Sequence, residues 1–362
     1  MGEFQVADTL KFDEAIADSA DCAKRHLLLG NGFSIACRAD IFHYASLYDE
    51  ADFSGIPEAK TVFETLGTKD FEVAIKALER GSQILPLYLP GNPDVPAKML
   101  AHAIALKDLL VSTIAKNHPD LPTSIADEKF WACRKFLNNF LGAGNDGQVY
   151  TLNYDLLLYW TLMHGDKPFG ESFHLTKNDG FGNDEDDPNA DYVVWQGEIA
   201  AHSARVHFLH GALHLFDAGS ELQKYTWVRK GIPLITQARE AMETDAFPLF
   251  VAEGTSIQKK NKIRHNAYLY QSFKQLAANA TIGTHCFFIF GHSLAETDDH
   301  ILVRLGRGRF KKLYVGLFGD PTTPDNRKII DRANGLASMR LDRFPLKVAF
   351  FDSSTANVWG SS

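Results

Sequence analysis

Continuous apolar runs punctuate the chain at HLLLG (residues 26–30), QVYTL (148–152), RVHFLH (205–210), FPLFVA (247–252), CFFIFG (286–291), KLYVGLF (312–318) and LKVAFF (346–351). Runs without polar alternation suit strands buried on both faces, as in a parallel sheet covered by helices. Between the first two runs the period changes. TVFETL, DFEVAIKALERG, AKMLAHAIALKDLLVSTIAKN and SIADEKFWACRKFLNNFL place apolar residues three or four apart, the helical repeat. They predict a mostly helical insertion over residues 40–145, broken by the Pro/Gly-rich LPLYLPGNPDVP. Strands alternating with helices predict an α/β fold with a doubly wound, mostly parallel sheet. The stretch KNDGFGNDEDDPNADY (177–192) is acidic and turn-rich, and its carboxylate spacing fits no EF-hand, so a solvated loop is expected there.

Composition narrows the class. A chain of 362 residues, 45% hydrophobic and 23% charged, can bury a large core and reads as an ordinary soluble globular protein. The formal charge of −8 and the lack of a dense Lys/Arg run argue against a protein built to grip phosphate backbones, so no direct nucleic-acid binding is expected. The start, MGEFQVADTLKFDEAIADSADCAKR, has no cationic head followed by an apolar core, and no later window is apolar long enough to span a bilayer. The expectation is a cytoplasmic protein without a membrane segment. Cys22, Cys37, Cys133 and Cys286 are far apart and form no C-x-x-C pair, which suggests neither a zinc site nor a disulfide framework.

Polar clusters follow several of the apolar runs. The first leads into Gly30-Asn31-Gly32-Phe33-Ser34, with a helix expected from Ile35. Two glycines let a backbone approach a phosphate, and a following helix offers unpaired N–H groups and a positive dipole end. A full dinucleotide fingerprint would have a third glycine where Ile35 stands, so a simple tight turn is the alternative. The second run ends in Thr151-Leu152-Asn153-Tyr154-Asp155 before another expected helix, for which Asp155 could be a cap. VHFLHGALHLF (206–216) puts His210-Gly211 directly after a buried run, a place that suits a hydrogen-bonded structural histidine as well as a catalyst. After CFFIFG comes His292-Ser293-Leu294-Ala295-Glu296-Thr297-Asp298-Asp299, where the aspartates could cap the helix DDHILVRLG or bond a ribose.

GNGFS, TLNYD, FLHG and GHSLAETD, in that order, resemble the sirtuin-like NAD hydrolases of bacterial antiphage defence. Asp-Phe-Glu at 70–72 is similar to a further short motif of that group. The resemblance covers most of the chain. It implies a single Rossmann-like NAD-binding catalytic domain over residues 1–362, with Asn153 and His210 as the catalytic pair. It also implies that Gly30, Asn31, Gly32 and Ser34 form the dinucleotide loop, that Asp155 meets the nicotinamide amide, and that Gly291, Ser293 and Asp298 contribute to NAD binding, Ser293 near the adenosine ribose. Protein-deacylating sirtuins carry a four-cysteine zinc module and a Gly-Ile-Pro-Asp-Phe-Arg run after the glycine loop. This chain lacks both and continues as SIACRADIF, with Arg38 the nearest substitute for the arginine. The resemblance therefore implies NAD cleavage without a metal, NAD being the substrate, and not deacylation.

Three other readings share these residues. A module that senses NAD or ADP-ribose without chemistry would use the same loop. A metallohydrolase would draw on His210, His214 and His292, and a hydride-transferring dehydrogenase would need a substrate domain that the sequence does not display. A constantly active NAD hydrolase would drain its own cell. Activity is therefore expected to depend on assembly, as a homo-oligomer or with a separate sensor protein, and to act by NAD depletion in antiphage defence.

Overall fold

The computed structural model describes residues 9–165, 173–219, 221–226, 232–243, 247–252 and 255–360. In chain order the strands are β1 (Thr9–Leu10), β2 (Lys24–Leu29), β3 (Val149–Thr151), β4 (Phe181–Gly182), β5 (Tyr192–Trp195) and β6 (Val206–Phe208). They are followed by β7 (Gly211–Asp217), β8 (Leu222–Tyr225), β9 (Pro248–Phe250), β10 (His285–Phe290), β11 (Lys312–Leu317) and β12 (Lys347–Asp352). Seven of them form one sheet in the order β1-β12-β11-β10-β2-β3-β6, and every pairing in it is parallel.

The order explains how the chain builds a crevice. From β2 it winds outward through β3 to β6, then returns to the middle and winds the other way through β10, β11 and β12. This is the 3-2-1-4-5-6 order of a Rossmann-like doubly wound sheet, with β1 added beyond β12. The direction reverses between β2 and β10. Leu27, Leu28 and Leu29 and, beside them, Phe287, Phe288 and Ile289 are fully buried, which is why these strands read as unbroken apolar runs.

Helices fill the expected insertion. Among them are Pro57–Leu66, Phe71–Tyr88, Asp94–Asn117 and Asp127–Leu141, each burying the apolar face its spacing predicts. The break in LPLYLPGNPDVP is narrower than expected, because Phe71–Tyr88 continues through Pro86. In the last turn the missing proline N–H costs a single ladder bond near the point where the ladder ends. Phe71–Tyr88 starts at Asp70, whose carboxylate accepts from the Glu72 and Val73 N–H groups at 2.8 and 3.4 Å.

A second sheet, β4-β5-β8-β7-β9, is antiparallel and was not expected from the sequence. The run FPLFVA belongs to it as edge strand β9 and is not part of the parallel sheet, since an apolar run carries no signal of strand direction. The acidic stretch 177–192 is likewise only partly loop. Its ends supply β4 and the start of β5, and Asp179 is buried against Lys224 at 2.6 Å. The join between sheets falls at His210-Gly211. Gly211 has φ of 83°, and a Cβ there would collide with the Leu249 carbonyl oxygen. Only glycine fits that turn, so the backbone that presents His210 is fixed by its neighbour.

Cys22, Cys37, Cys133 and Cys286 are free and buried. Among the described residues no helix is long and apolar enough to cross a membrane.

Candidate active site at the reversal of strand order

The register of β10, β2, β3 and β6 aligns their carboxyl ends. Phe290 pairs with Leu29, Leu29 with Thr151, and Thr151 with Phe208, so the loops beginning at Gly291, Gly30, Leu152 and Leu209 start side by side. The loops after β2 and β10 lie in direct contact. A Cβ on Gly30 would stand 2.7 Å from the Gly291 carbonyl oxygen, and one on Gly32 would stand 2.6 Å from the Gly291 Cα. The glycines are thus required by backbone meeting backbone. The N–H groups of Gly32, Phe33 and Ser34 already donate to the carbonyls of Gly291, Gly30 and Asn31, at 2.8, 3.0 and 3.0 Å. These three donors are therefore engaged within the protein. The short helix after it is Gly32–Cys37, and the Asn31 amide turns into the insertion to donate to the Phe42 carbonyl at 3.2 Å.

Asn153, Ser34 and Asp155 form one buried group. The Asn153 Nδ2 donates to the Gly30 carbonyl at 3.0 Å and to Ser34 Oγ at 2.9 Å, and Ser34 Oγ donates to Asp155 Oδ2 at 2.5 Å. Because the Ser34 proton goes to Asp155, Ser34 must accept from Asn153, which fixes the orientation of the amide. Asp155 Oδ1 also accepts from the Leu157 N–H at 3.0 Å, holding the start of helix Leu157–Met163. Burial raises the Asp155 carboxyl above its usual range, against the Ser34 and Leu157 donors that favour the anion. Each of its oxygens thus accepts one donor from within the protein.

His210 belongs to a second group, centred on Asp298. The His210 Nε2 lies 3.1 Å from the His300 Nε2 and 3.9 Å from Asp298 Oδ1. Asp298 accepts from Lys259 Nζ at 3.0 Å and from His292 Nε2 at 3.1 Å. His292 Nδ1 accepts the Leu294 N–H at 2.8 Å, so the histidine proton is on Nε2, where it can be donated to Asp298. Lys259 also donates to both Glu72 oxygens, at 3.0 and 3.1 Å. Glu72 opens helix Phe71–Tyr88, so this ammonium is one tie between the insertion and the loop after β10.

The charge states follow from this packing. Burial would raise Asp298, but Lys259 and His292 hold it well below the usual carboxylate range. Burial, then the nearby Lys259, holds His210 well below its ordinary value, and His300 is lowered to about 4 chiefly by burial. Burial alone would also lower Lys259, which its two carboxylates keep above its ordinary value. Both histidines of the pair are neutral at neutral pH.

The expected site residues therefore fall into two groups, which meet through β3 and β6. Asp298 occupies the N-cap position of helix Asp299–Gly306 by its backbone alone, because its side chain is committed to Lys259 and His292. Ser293 is exposed, and Arg38 pairs at the surface with Asp40 at 2.6 Å. The metal set His210, His214 and His292 is not assembled, since the His214 ring packs on Tyr159 and Phe208. His210, Asp298 and His300 do present ligand atoms within 4.8 Å of one another, but a cation already sits against Asp298 in Lys259.

Lys259 and His300 were missed. Lys259 stands in SIQKKNKIRH, where its neighbours are surface cations and nothing in the pattern singles it out. His300 offered a signal. It stands two residues after the singled-out Asp298 and is buried on helix Asp299–Gly306 together with Ile301, Leu302 and Leu305.

No curated protein matches the chain. The model of a family described as a domain of unknown function, DUF4917, matches residues 27–359, from within β2 to beyond β12, and the chain belongs to that family.

Proposed function

We propose that the protein is an NAD glycohydrolase that cleaves NAD to nicotinamide and ADP-ribose. The observation that carries this reading is the delivery of Asn153 and His210, by neighbouring parallel strands β3 and β6, to the carboxyl end of a doubly wound sheet beside the point where the strand order reverses. Sheets of this kind bind dinucleotides at that point.

Breaking the bond to a cationic nicotinamide expels a neutral molecule, so no strong acid is needed at the leaving group. The reaction needs a placed water and a neutral base. A histidine held neutral by burial suits the base, and His210 is one. Both protons of the Asn153 amide are engaged, on Gly30 and Ser34, which leaves Oδ1 for the water or a ribose hydroxyl. His210→Ala is expected to lower nicotinamide release by about 10²- to 10⁴-fold, followed by chromatography on protein whose circular dichroism matches wild type. Equal release by wild type and variant would reject the assignment.

The crevice is closed. Ser34, Asn153, Asp155 and His210 are only 0, 8, 6 and 2% exposed, so NAD enters a form in which the covering elements have parted. The insertion presents an apolar surface that assembly could use to drive such a change. Leu87 and Tyr88 are 79 and 81% exposed, and Ile84, Leu89, Leu100 and Ile104 are also exposed on the same helical pair. Specific activity is accordingly expected to rise with protein concentration, alone or with a partner, in step with the mass seen by light scattering. A monomer whose turnover per molecule is constant across concentrations, with no partner recovered from cells, would count against regulation by assembly.

A further inference from the structure

We propose that His300 is the proton partner of His210, so that the two imidazoles act as one base. The inference rests on the NAD-cleavage reading and adds to it a positioning residue. The His210 and His300 rings stack with centroids 5.2 Å apart and planes at 17°, and their Nε2 atoms face each other at 3.1 Å. Two neutral imidazoles meeting through like nitrogens bond only if one carries its proton on Nε2 and the other on Nδ1. The pair therefore has two neutral forms, and passing from one to the other moves a proton at each ring's Nδ1 as well as the shared one.

With the Nε2 proton on His210, the Nδ1 lone pair of that ring is the base. The water oxygen bonds to the ribose carbon as the bond to nicotinamide breaks, and nicotinamide leaves neutral with the bonding electrons. The water proton passes to His210 Nδ1, and the His210 Nε2 proton passes to His300 Nε2. The positive charge that began on the nicotinamide ring ends as one proton on the histidine pair.

One neighbour favours that endpoint. Asp298 Oδ1 stands 3.9 Å from His210 Nε2, held by Lys259 and His292. Lys259, Asp298 and His292 are the charged or titratable groups closest to the pair. Glu72 lies behind Lys259, and the Tyr154 ring stacks on His210 at 6.5 Å. In that cluster the Asp298 carboxylate partly offsets the burial that disfavours a cation on His300.

The test uses the full-length protein, with NAD as substrate and nicotinamide release as readout. His300→Gln is expected to lower kcat about 10²-fold with little change in KM. The acid limb of its kcat profile should move down by on the order of one pH unit, because the cation must then rest on His210 alone beside Lys259. A purely structural His300 would not move that limb. Wild-type kcat and an unshifted profile in His300→Gln overturn the pairing while leaving NAD cleavage intact. No release by assembled wild type removes the cleavage reading and the pairing role with it. Should His300→Gln fail to fold, ¹⁵N resonances of the wild-type imidazoles decide: joint titration of His210 and His300 supports the pair, and independent titration overturns it.

Discussion

Lys259→Met is expected to lower the free energy of unfolding by about 3–5 kcal/mol, read as a fall in the urea midpoint without a change in slope. The Lys259 side chain is fully buried and is shared by Glu72 and Asp298, each at 3.0 Å. Methionine matches its length and apolar stem but leaves Asp298 without its ammonium in a place where water cannot replace it. Removing one partner of a buried ionic group costs far more than the group itself contributes. The reciprocal change makes the expectation specific. Lys259→Met combined with Asp298→Asn should recover part of the loss, because the uncompensated carboxylate is gone and the amide oxygen that replaces it can still accept from His292. A Lys259→Met protein within about 0.5 kcal/mol of wild type would mean that the buried cluster does not depend on this cation.

The second large effect is acid unfolding between about pH 6.5 and pH 4. Burial is the main cause that lowers His118 to about 4 and His207 to about 3, and it pushes His26 and His214 well below the ordinary value, as it does His210. In the unfolded chain these residues protonate near pH 6.5, while in the folded protein they do not, so the unfolded state binds more protons as pH falls. Their contribution is fully present above pH 6.5 and drains away toward the folded values. For His118 alone the shift from 6.5 to about 4 corresponds to roughly 3 kcal/mol lost at the acid end. Asp155 and Asp70, raised mainly by burial, work in the opposite sense, since falling pH relieves them. They are outnumbered by the histidines. A few such losses exceed the whole stability of an ordinary domain. Circular dichroism at fixed temperature should show cooperative loss of structure above about pH 4, and a signal flat from neutrality to pH 4 would contradict the burial of these rings.

The legible part of this protein was its periodicity. Leu27 to Leu29 and Phe287 to Ile289 announced buried parallel strands because both faces of such a strand exclude polar residues. The spacing in DFEVAIKALERG announced its helix for the corresponding reason. Asn153, His210 and the glycines stood out because polar or flexible residues directly after a buried strand fall at the sheet edge. What they do there was not legible. Gly30 and Gly32 read as room for a phosphate, and the positions their missing Cβ atoms would take face Gly291. β9 read as one more parallel strand, and it lies antiparallel to β7.

The sequence by itself determined the alternation of strands and helices, the helical period between β2 and β3 and which loops follow the parallel strands. These depend on local period and chain order, which are written residue by residue. Tertiary structure alone decided that Glu72, Lys259 and Asp298, separated by 187 and 39 positions, share one buried ammonium, and that His300 faces His210 across 90. A lysine in a basic run reads as a surface cation until the fold excludes water from it. Burial then turns an ordinary charge into one that must find partners, and the partners it found come from opposite ends of the chain.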